Sequence, residues 1–388
     1  MAKLKVLAGI DCLQSEARHL LKNKKIGLIT NPTGIDSRFQ STIEICASLQ
    51  DARLTALFAC EHGIRGDKQA GMLLADETDK QLNIPVFSLY GKNKRPQQYM
   101  LEHLDVLIFD IQDLGVRFYT YLTTLIYAME ACARFGKKLM VLDRPNPLGG
   151  LKAEGGILQP GYESMVGAWS VPYQTGLTVG EFANLVNEEA AIGCDLHVVP
   201  LQNWRREMEF DETGLPWLPP SPNMPTIDTA RVYPGMCLFE GTNLSEGRGT
   251  TKPFEWLGAP WLNAEKLCRC VNEAGLPGVR CHPTHFTPVF SKYKGELCHG
   301  VYLIVTDKKE YRPVVTALYL LHYIAVIHKD QLAWSQKPNE KPFIDMLSGS
   351  DMIRRFIAQP EGLQTILDHY DRDIQRWRER CGKYLLYT

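Results

Sequence analysis

Glu61 stands directly before His62, with glycines at 63 and 66 close behind. A carboxyl beside an imidazole is a pair built for handling protons, and flanking glycines let a ligand come close to the backbone. An acid is rarely favoured straight after a buried strand, so a functional role is the better reading of Glu61. Three other stretches are polar in the same way: Thr30-Asn31-Pro32-Thr33-Gly34, Asp110-Ile111-Gln112-Asp113 with Arg117-Phe118-Tyr119-Thr120-Tyr121, and Asp143-Arg144-Pro145-Asn146-Pro147. Carboxylates, amides, guanidinium groups and tyrosines together suit a polyhydroxylated ligand. Plainer roles compete: Asn31 and Gly34 equally build a turn, and Asp143 with Arg144 equally forms a structural ion pair. Further on, Ser221-Pro222-Asn223-Met224-Pro225 makes a rigid loop able to wall a cleft, and residues 240–251 hold Glu240, Asn243, Glu246 and Arg248 among glycines. That tract lacks the Gly-Lys-Ser/Thr ending of a phosphate-binding loop.

Elements of alternating type must position these groups. Residues 25–30, 53–59, 85–90, 105–110 and 137–143 are nearly continuously apolar, the pattern of parallel strands covered on both faces. Helical patterns at 41–49, 96–104 and 121–135 lie between them, and Gly136 ends the last. The prediction is a Rossmann-like, doubly wound, mostly parallel α/β sheet, whose strand ends carry the polar stretches, where ligands bind in such sheets. No GxGxxG follows the first strand, which disfavours a dinucleotide cofactor and an oxidoreductase; no cofactor is expected. Thr178 and Glu181 form a capping box for a helix to about 191, and a strand at 197–201 joins the sheet. Residues 216–234 contain six prolines, a density that argues against helix or central strand and for a stiff connection. Beyond it, helices at 262–274, 311–327 and 361–378 and a strand at 300–306 indicate a smaller α+β domain. The division expected is 1–230 for the sheet domain and 231–388 for an auxiliary domain closing the cleft.

The chain has 388 residues, enough for two domains, with 43 Lys and Arg against 44 Asp and Glu. This balance offers no general attraction to polyanions, so nucleic acid is not an expected partner. No run approaches the ~18 apolar residues of a membrane helix. The N-terminal apolar stretch breaks at Asp11, too early for a secretory signal, so a cytoplasmic protein is expected as written; one trimmed of a leader, hence periplasmic or exported, would look the same. Eleven scattered cysteines read as reduced thiols. Cys281-His282 with His285, and Cys298-His299, form a conceivable metal cluster, but structural roles are the better reading and no metal is expected.

EHGIRG at 61–66, DIQDLGVRFYTY at 110–121, LDRPNPLGG at 142–150, PSPNMPT at 220–226 and EGTNLSEGRGTTKPFEWLGAPW at 240–261 resemble the exo-β-N-acetylmuramidase (NamZ) family, long catalogued as a domain of unknown function. The similarity runs from Gly9 to Trp334. It implies a Rossmann-like N-terminal domain, a C-terminal auxiliary domain, an active site in the cleft between them, and release of N-acetylmuramic acid from non-reducing ends of peptidoglycan fragments. The glutamate of the family's EHG motif, proposed as catalytic, corresponds to Glu61. Many relatives carry an export signal, and none is expected here from the residues as written.

Glycoside hydrolysis needs a proton for the leaving oxygen and support for an oxocarbenium-like centre. The expectation is Glu61 as general acid, its pKa raised by partial burial, with His62 tuning it or orienting the loop. Asp110, Asp143, Glu240 and Glu246 are candidates for a second carboxylate, unless the substrate's own acetamido group serves instead. The lactyl ether of muramic acid is an anion, so Arg117, Arg144 or Arg248 is expected to grip it, with Tyr119 or Tyr121 stacking on the ring or donating a hydrogen bond. Asn31, Gln112, Asn146, Asn223 and Asn243 complete the expected substrate contacts. The alternative is a sugar-binding protein that does not hydrolyse.

Overall fold

Alternate residues of each central strand feed opposite cores, which is why those strands read as unbroken apolar runs. Leu107 and Phe109 enter one core, while Val106 and Ile108 enter the other. The computed structural model, which describes residues 5–388, has seven strands in this sheet: β1 (Lys25–Thr30), β2 (Arg53–Ala59), β3 (Glu77–Asp79), β4 (Ile84–Ser88), β5 (Val106–Asp110), β6 (Lys138–Leu142) and β7 (Asp195–Val199). Their order is β3-β4-β2-β1-β5-β6-β7, with only β3 antiparallel to its neighbour. Without β3, the parallel strands follow the 3-2-1-4-5-6 order of a Rossmann sheet, as expected.

The helices α1 (Thr42–Ala47), α2 (Gln98–Leu101), α3 (Thr120–Arg134) and α4 (Val179–Glu189) connect the strands. The predicted capping box at α4 is present, Thr178 accepting from the Glu181 backbone N–H while Glu181 reaches back. Gly180 is required by close approach, because a Cβ there would lie 2.8 Å from the Asp143 carboxylate.

One sequence expectation fails after residue 216. Residues 215–226 are irregular, but α5 (Ile227–Met236) is a helix with Pro234 inside it. Proline near the end of a helix forfeits one bond where the helix is already tightening, and α5 passes at once into a 3₁₀ turn, Cys237–Gly241. The position of the proline mattered, not the density.

The second sheet is antiparallel, β8 (Trp256–Ala259), β9 (Val279–Phe286) and β10 (Cys298–Val305) in the order β8-β10-β9. It packs against α6 (Ala264–Glu273), and α7 (Pro313–Ile327) packs in turn against α5 and α6. The last helix, α8 (Gly362–Cys381), returns to the first half: Trp377 Nε1 donates to the Thr175 carbonyl at 2.9 Å, and Tyr370 meets the Tyr173 hydroxyl at 2.6 Å. One core runs continuously from Phe109 and Leu139 to Leu318 and Trp377. No helix among the described residues is long and apolar enough to cross a membrane.

Candidate functional site

Past the end of β2 the chain turns sharply, with His62 at φ 73° and Gly63 at φ 77°, both left-handed. A histidine held there is strained backbone, of the kind that collects at functional sites. The turn leaves Glu61 nearly buried with both carboxylate oxygens engaged: Oε1 accepts from the Gly71 backbone N–H at 2.9 Å, and Oε2 from the Thr120 hydroxyl at 2.8 Å. Thr120 is the first residue of α3. The Tyr90 phenol, just past β4, is pushed up by burial and then by the neighbouring Glu61 carboxylate. His62 Nδ1 lies 2.8 Å from the Lys68 carbonyl; a carbonyl only accepts, so Nδ1 carries the proton. Burial pushes this imidazole down, with the Arg248 guanidinium adding to the effect and Glu61 opposing it. The ring is therefore neutral at pH 7, with Nε2 as its acceptor.

The second half brings a charged group to the same place. Glu240, in the 3₁₀ turn after α5, accepts from Arg248 Nη2 at 3.1 Å and from the Cys237 thiol at 3.4 Å. Arg248 Nε lies 3.3 Å from Glu246, whose other oxygen accepts from Lys292 Nζ at 3.0 Å. Lys292 also donates to the carbonyls of Phe239 and Leu244, tying the turn to the tract. Burial raises the Glu240 carboxyl above its ordinary range; Arg248 opposes this and the nearby Glu246 charge reinforces it. Against the cost of burial, Glu240 and Glu246 keep Arg248 firmly charged. Electrostatic influence crosses between the halves: Arg248 acts on His62 and Tyr119, and Glu240 acts on Tyr90. Aromatic edges continue the junction, Tyr119 against Tyr121 at 5.0 Å and Tyr233 at 5.8 Å, and Tyr233 against Phe254 at 4.8 Å. The Tyr119 hydroxyl is buried without a hydrogen-bond partner among the described residues.

Other expected site residues are placed elsewhere. Asp110 and Asp143 are not available as a second carboxylate. Asp110 is fully buried, paired with Arg144 Nε at 2.6 Å and bonded to the Thr42 hydroxyl. Asp143 is fully buried among four donors: the backbone N–H groups of Arg144 and Gly180 and the hydroxyls of Thr178 and Tyr387. Nor is Arg144 or Arg117 a free cation for a substrate. Arg144 is held by Asp110, and Arg117 donates to the carbonyls of Gly156, Val171 and Leu347 with its charge against the Tyr173 ring. Burial pushes that guanidinium down to about 10.

The expected amide contacts are also internal. Asn31 Nδ2 donates to the Tyr121 hydroxyl and the Pro220 carbonyl, filling the crevice where the strand order reverses. Gln112 donates to the carbonyls of Asp113 and Pro145, Asn146 to that of Leu177, and Asn243 to that of Gln331. Asn223 does border the Glu61 loop, its Nδ2 lying 3.3 Å from Gln69 Oε1. The structure thus brings together Glu61, His62, Tyr119, Asn223, Glu240, Glu246 and Arg248.

Tyr90, Thr120, Tyr233, Cys237 and Lys292 join them, beyond the residues expected. Tyr90 closes the strand expected at 85–90, whereas the strand stops at Ser88 and leaves Tyr90 beyond its end, where ligands bind in such sheets; Lys292 has no signal in the sequence, since it meets Glu246 only through the fold. No group of three His, Cys, Asp or Glu able to hold a metal occurs among the described residues. His285 and His299 pair across β9 and β10, Nδ1 to Nδ1 2.9 Å, on the second sheet.

Two family models match the chain, that for the N-terminal part of exo-β-N-acetylmuramidase NamZ over residues 26–228 and that for its C-terminal part over 231–387. A Bacillus subtilis protein named peptidoglycan β-N-acetylmuramidase NamZ is 46% identical over 385 residues, 99% of this chain and 92% of that one. Crystal structures of two DUF1343 family proteins from Bacteroides fragilis are also similar, at TM-scores of 0.92 and 0.78 with 37% and 32% identity, each alignment covering 99% of both chains. With both models matched in sequence order across almost its whole length, the chain belongs to the exo-β-N-acetylmuramidase NamZ family.

Proposed function

We propose that the protein is an exo-β-N-acetylmuramidase, a glycoside hydrolase that releases N-acetylmuramic acid from the non-reducing ends of peptidoglycan fragments in a groove between its two halves. The observation that carries the reading is the nearly buried Glu61 carboxylate, held by Gly71 and Thr120 beside His62 and Tyr90, the two groups that also feel the charges of Arg248 and Glu240 from the second half. Glu61 handles the proton of the glycosidic oxygen. The Thr120 hydroxyl donates to its carboxylate and accepts from its acid form, so the side chain keeps one orientation through the cycle. Of the four expected second carboxylates, Glu240 alone reaches solvent, its side chain 22% exposed against 3% for Glu246 and none for Asp110. It serves as the second carboxyl, or holds Arg248 while the substrate's acetamido group attacks. Arg248 is paired with Glu240 and Glu246, but its side chain is 15% exposed against 6% for Arg144, which supports it as the arginine that meets the lactyl anion. The eleven unpaired cysteines support a reducing compartment as the place of work.

The test is product analysis with a muramic-acid-terminated disaccharide. Wild type should release free N-acetylmuramic acid, and Glu61→Gln should lower turnover by roughly a thousandfold or more with an unchanged melting temperature. Near wild-type turnover by the variant would remove Glu61 from the mechanism. Tight binding by wild type with no product over hours would make the protein a sugar-binding one.

A further inference from the structure

Two exposed apolar segments begin next to groups of this site, one in each half. Gly71, whose N–H holds Glu61 at 2.9 Å, is followed by Met72 and Leu73, which are 50% and 76% exposed. On the other side Val289 and Phe290, 70% and 37% exposed, clasp Gly249, the residue after Arg248. The Val289 N–H donates to the Gly249 carbonyl at 2.9 Å, and a Cβ on Gly249 would lie 2.5 Å from the Phe290 carbonyl oxygen. The loop bearing Val289 and Phe290 is fixed by Lys292, which reaches back to Glu246. Neither apolar pair belongs to a core cluster, and exposed apolar side chains beside a polar site are free to contact a ligand there.

We propose that Met72–Leu73 and Val289–Phe290 form the two lips of a subsite for the leaving-group sugar, gripping its ring from both faces. This rests on the hydrolase reading above. An exo-acting enzyme encloses the terminal muramyl residue, so the rest of the glycan must leave past the rim. A β-linked gluco-configured ring has its hydroxyls equatorial and presents C–H groups on both faces, which suits apolar contact from two sides. The lips carry no charge, so they select for a ring rather than for the anionic lactyl or peptide substituents of the muramyl unit.

The experiment compares the disaccharide of N-acetylmuramic acid β-linked to N-acetylglucosamine with the methyl β-glycoside of N-acetylmuramic acid, which has no second ring. In a Leu73→Ser, Phe290→Ser double variant, kcat/KM for the disaccharide should fall about tenfold, mostly through KM, while the methyl glycoside is cut at the wild-type rate. Its unchanged rate also certifies the fold. Equal losses on both substrates, or no loss on the disaccharide, would overturn the lips while leaving the hydrolase intact. A loss seen only when a peptide is attached to the lactyl group would assign the lips to the peptide and overturn the proposal. If wild type cuts neither substrate, the hydrolase reading falls and the lips fall with it.

Discussion

Thr120 opens α3 and turns its hydroxyl onto Glu61 at 2.8 Å. Thr120→Val keeps the shape and removes that donor. It should lower kcat by about ten- to a hundredfold, the worth of a hydrogen bond to a charged group, with little change in KM; Thr120→Ser should restore most of it. Initial rates on the disaccharide decide the matter. Asp113 is a separate case. Burial pushes its carboxyl up to about 7, and Oδ2 has no hydrogen-bond partner among the described residues. The folded protein therefore holds a proton that the unfolded chain releases near pH 4, and stability falls as pH rises between about 4 and 7. Asp113→Asn removes the charge and should stabilise by on the order of 2 kcal/mol at pH 8 and little at pH 4, read by thermal melts at both. Glu61 is legible in the sequence because an acid after an apolar strand and before glycines has few bland explanations. Asp110 and Asp143 look equally promising at their own strand ends, and what withdraws them is partners 34 and 244 residues away.

The inner strands of the first sheet are legible for the same reason that they form: both faces are covered, so hardly a polar residue interrupts them. The edge strand β3, Glu77–Asp79, is polar and mostly exposed and left no such signal. In the second sheet β9 has Arg280, His282 and His285 exposed between buried Val279, Cys281 and Phe286, and Pro283 and the two histidines hide its pattern. The helix α8 is visible, but not what it packs against. Trp377 is fully buried under it and donates to the Thr175 carbonyl in the other half of the chain. Trp377→Ala should cost about 3–5 kcal/mol in urea unfolding. Trp377→Phe, which keeps most of the ring and loses the N–H, should cost about 1–2 kcal/mol.

At the scale of the whole molecule, the two halves share a core as well as a junction, because the chain crosses back after residue 361 and ends against the first sheet. Leu386 donates its N–H to Glu181, Tyr387 its hydroxyl to Asp143 at 2.6 Å, and the Thr388 carbonyl accepts from the Arg206 N–H. Burial raises Asp143 to about 6, with the Tyr387 hydrogen bond the largest force pulling it back. Tyr387→Phe removes that pull, so it should destabilise by about 1–3 kcal/mol at pH 8, where Asp143 is ionised, and by less at pH 4, where it is protonated in the folded chain. Calorimetry at the two pH values checks the sign. The same bond has a consequence during synthesis. The acid at the end of β6 has left the ribosome long before its last donor is translated, so the nascent first half waits, with a charge it cannot fully bury, for a tyrosine 244 positions downstream. Stalled or prematurely terminated chains would carry a nearly finished sheet with that seam open, which is where quality-control proteases should first find them.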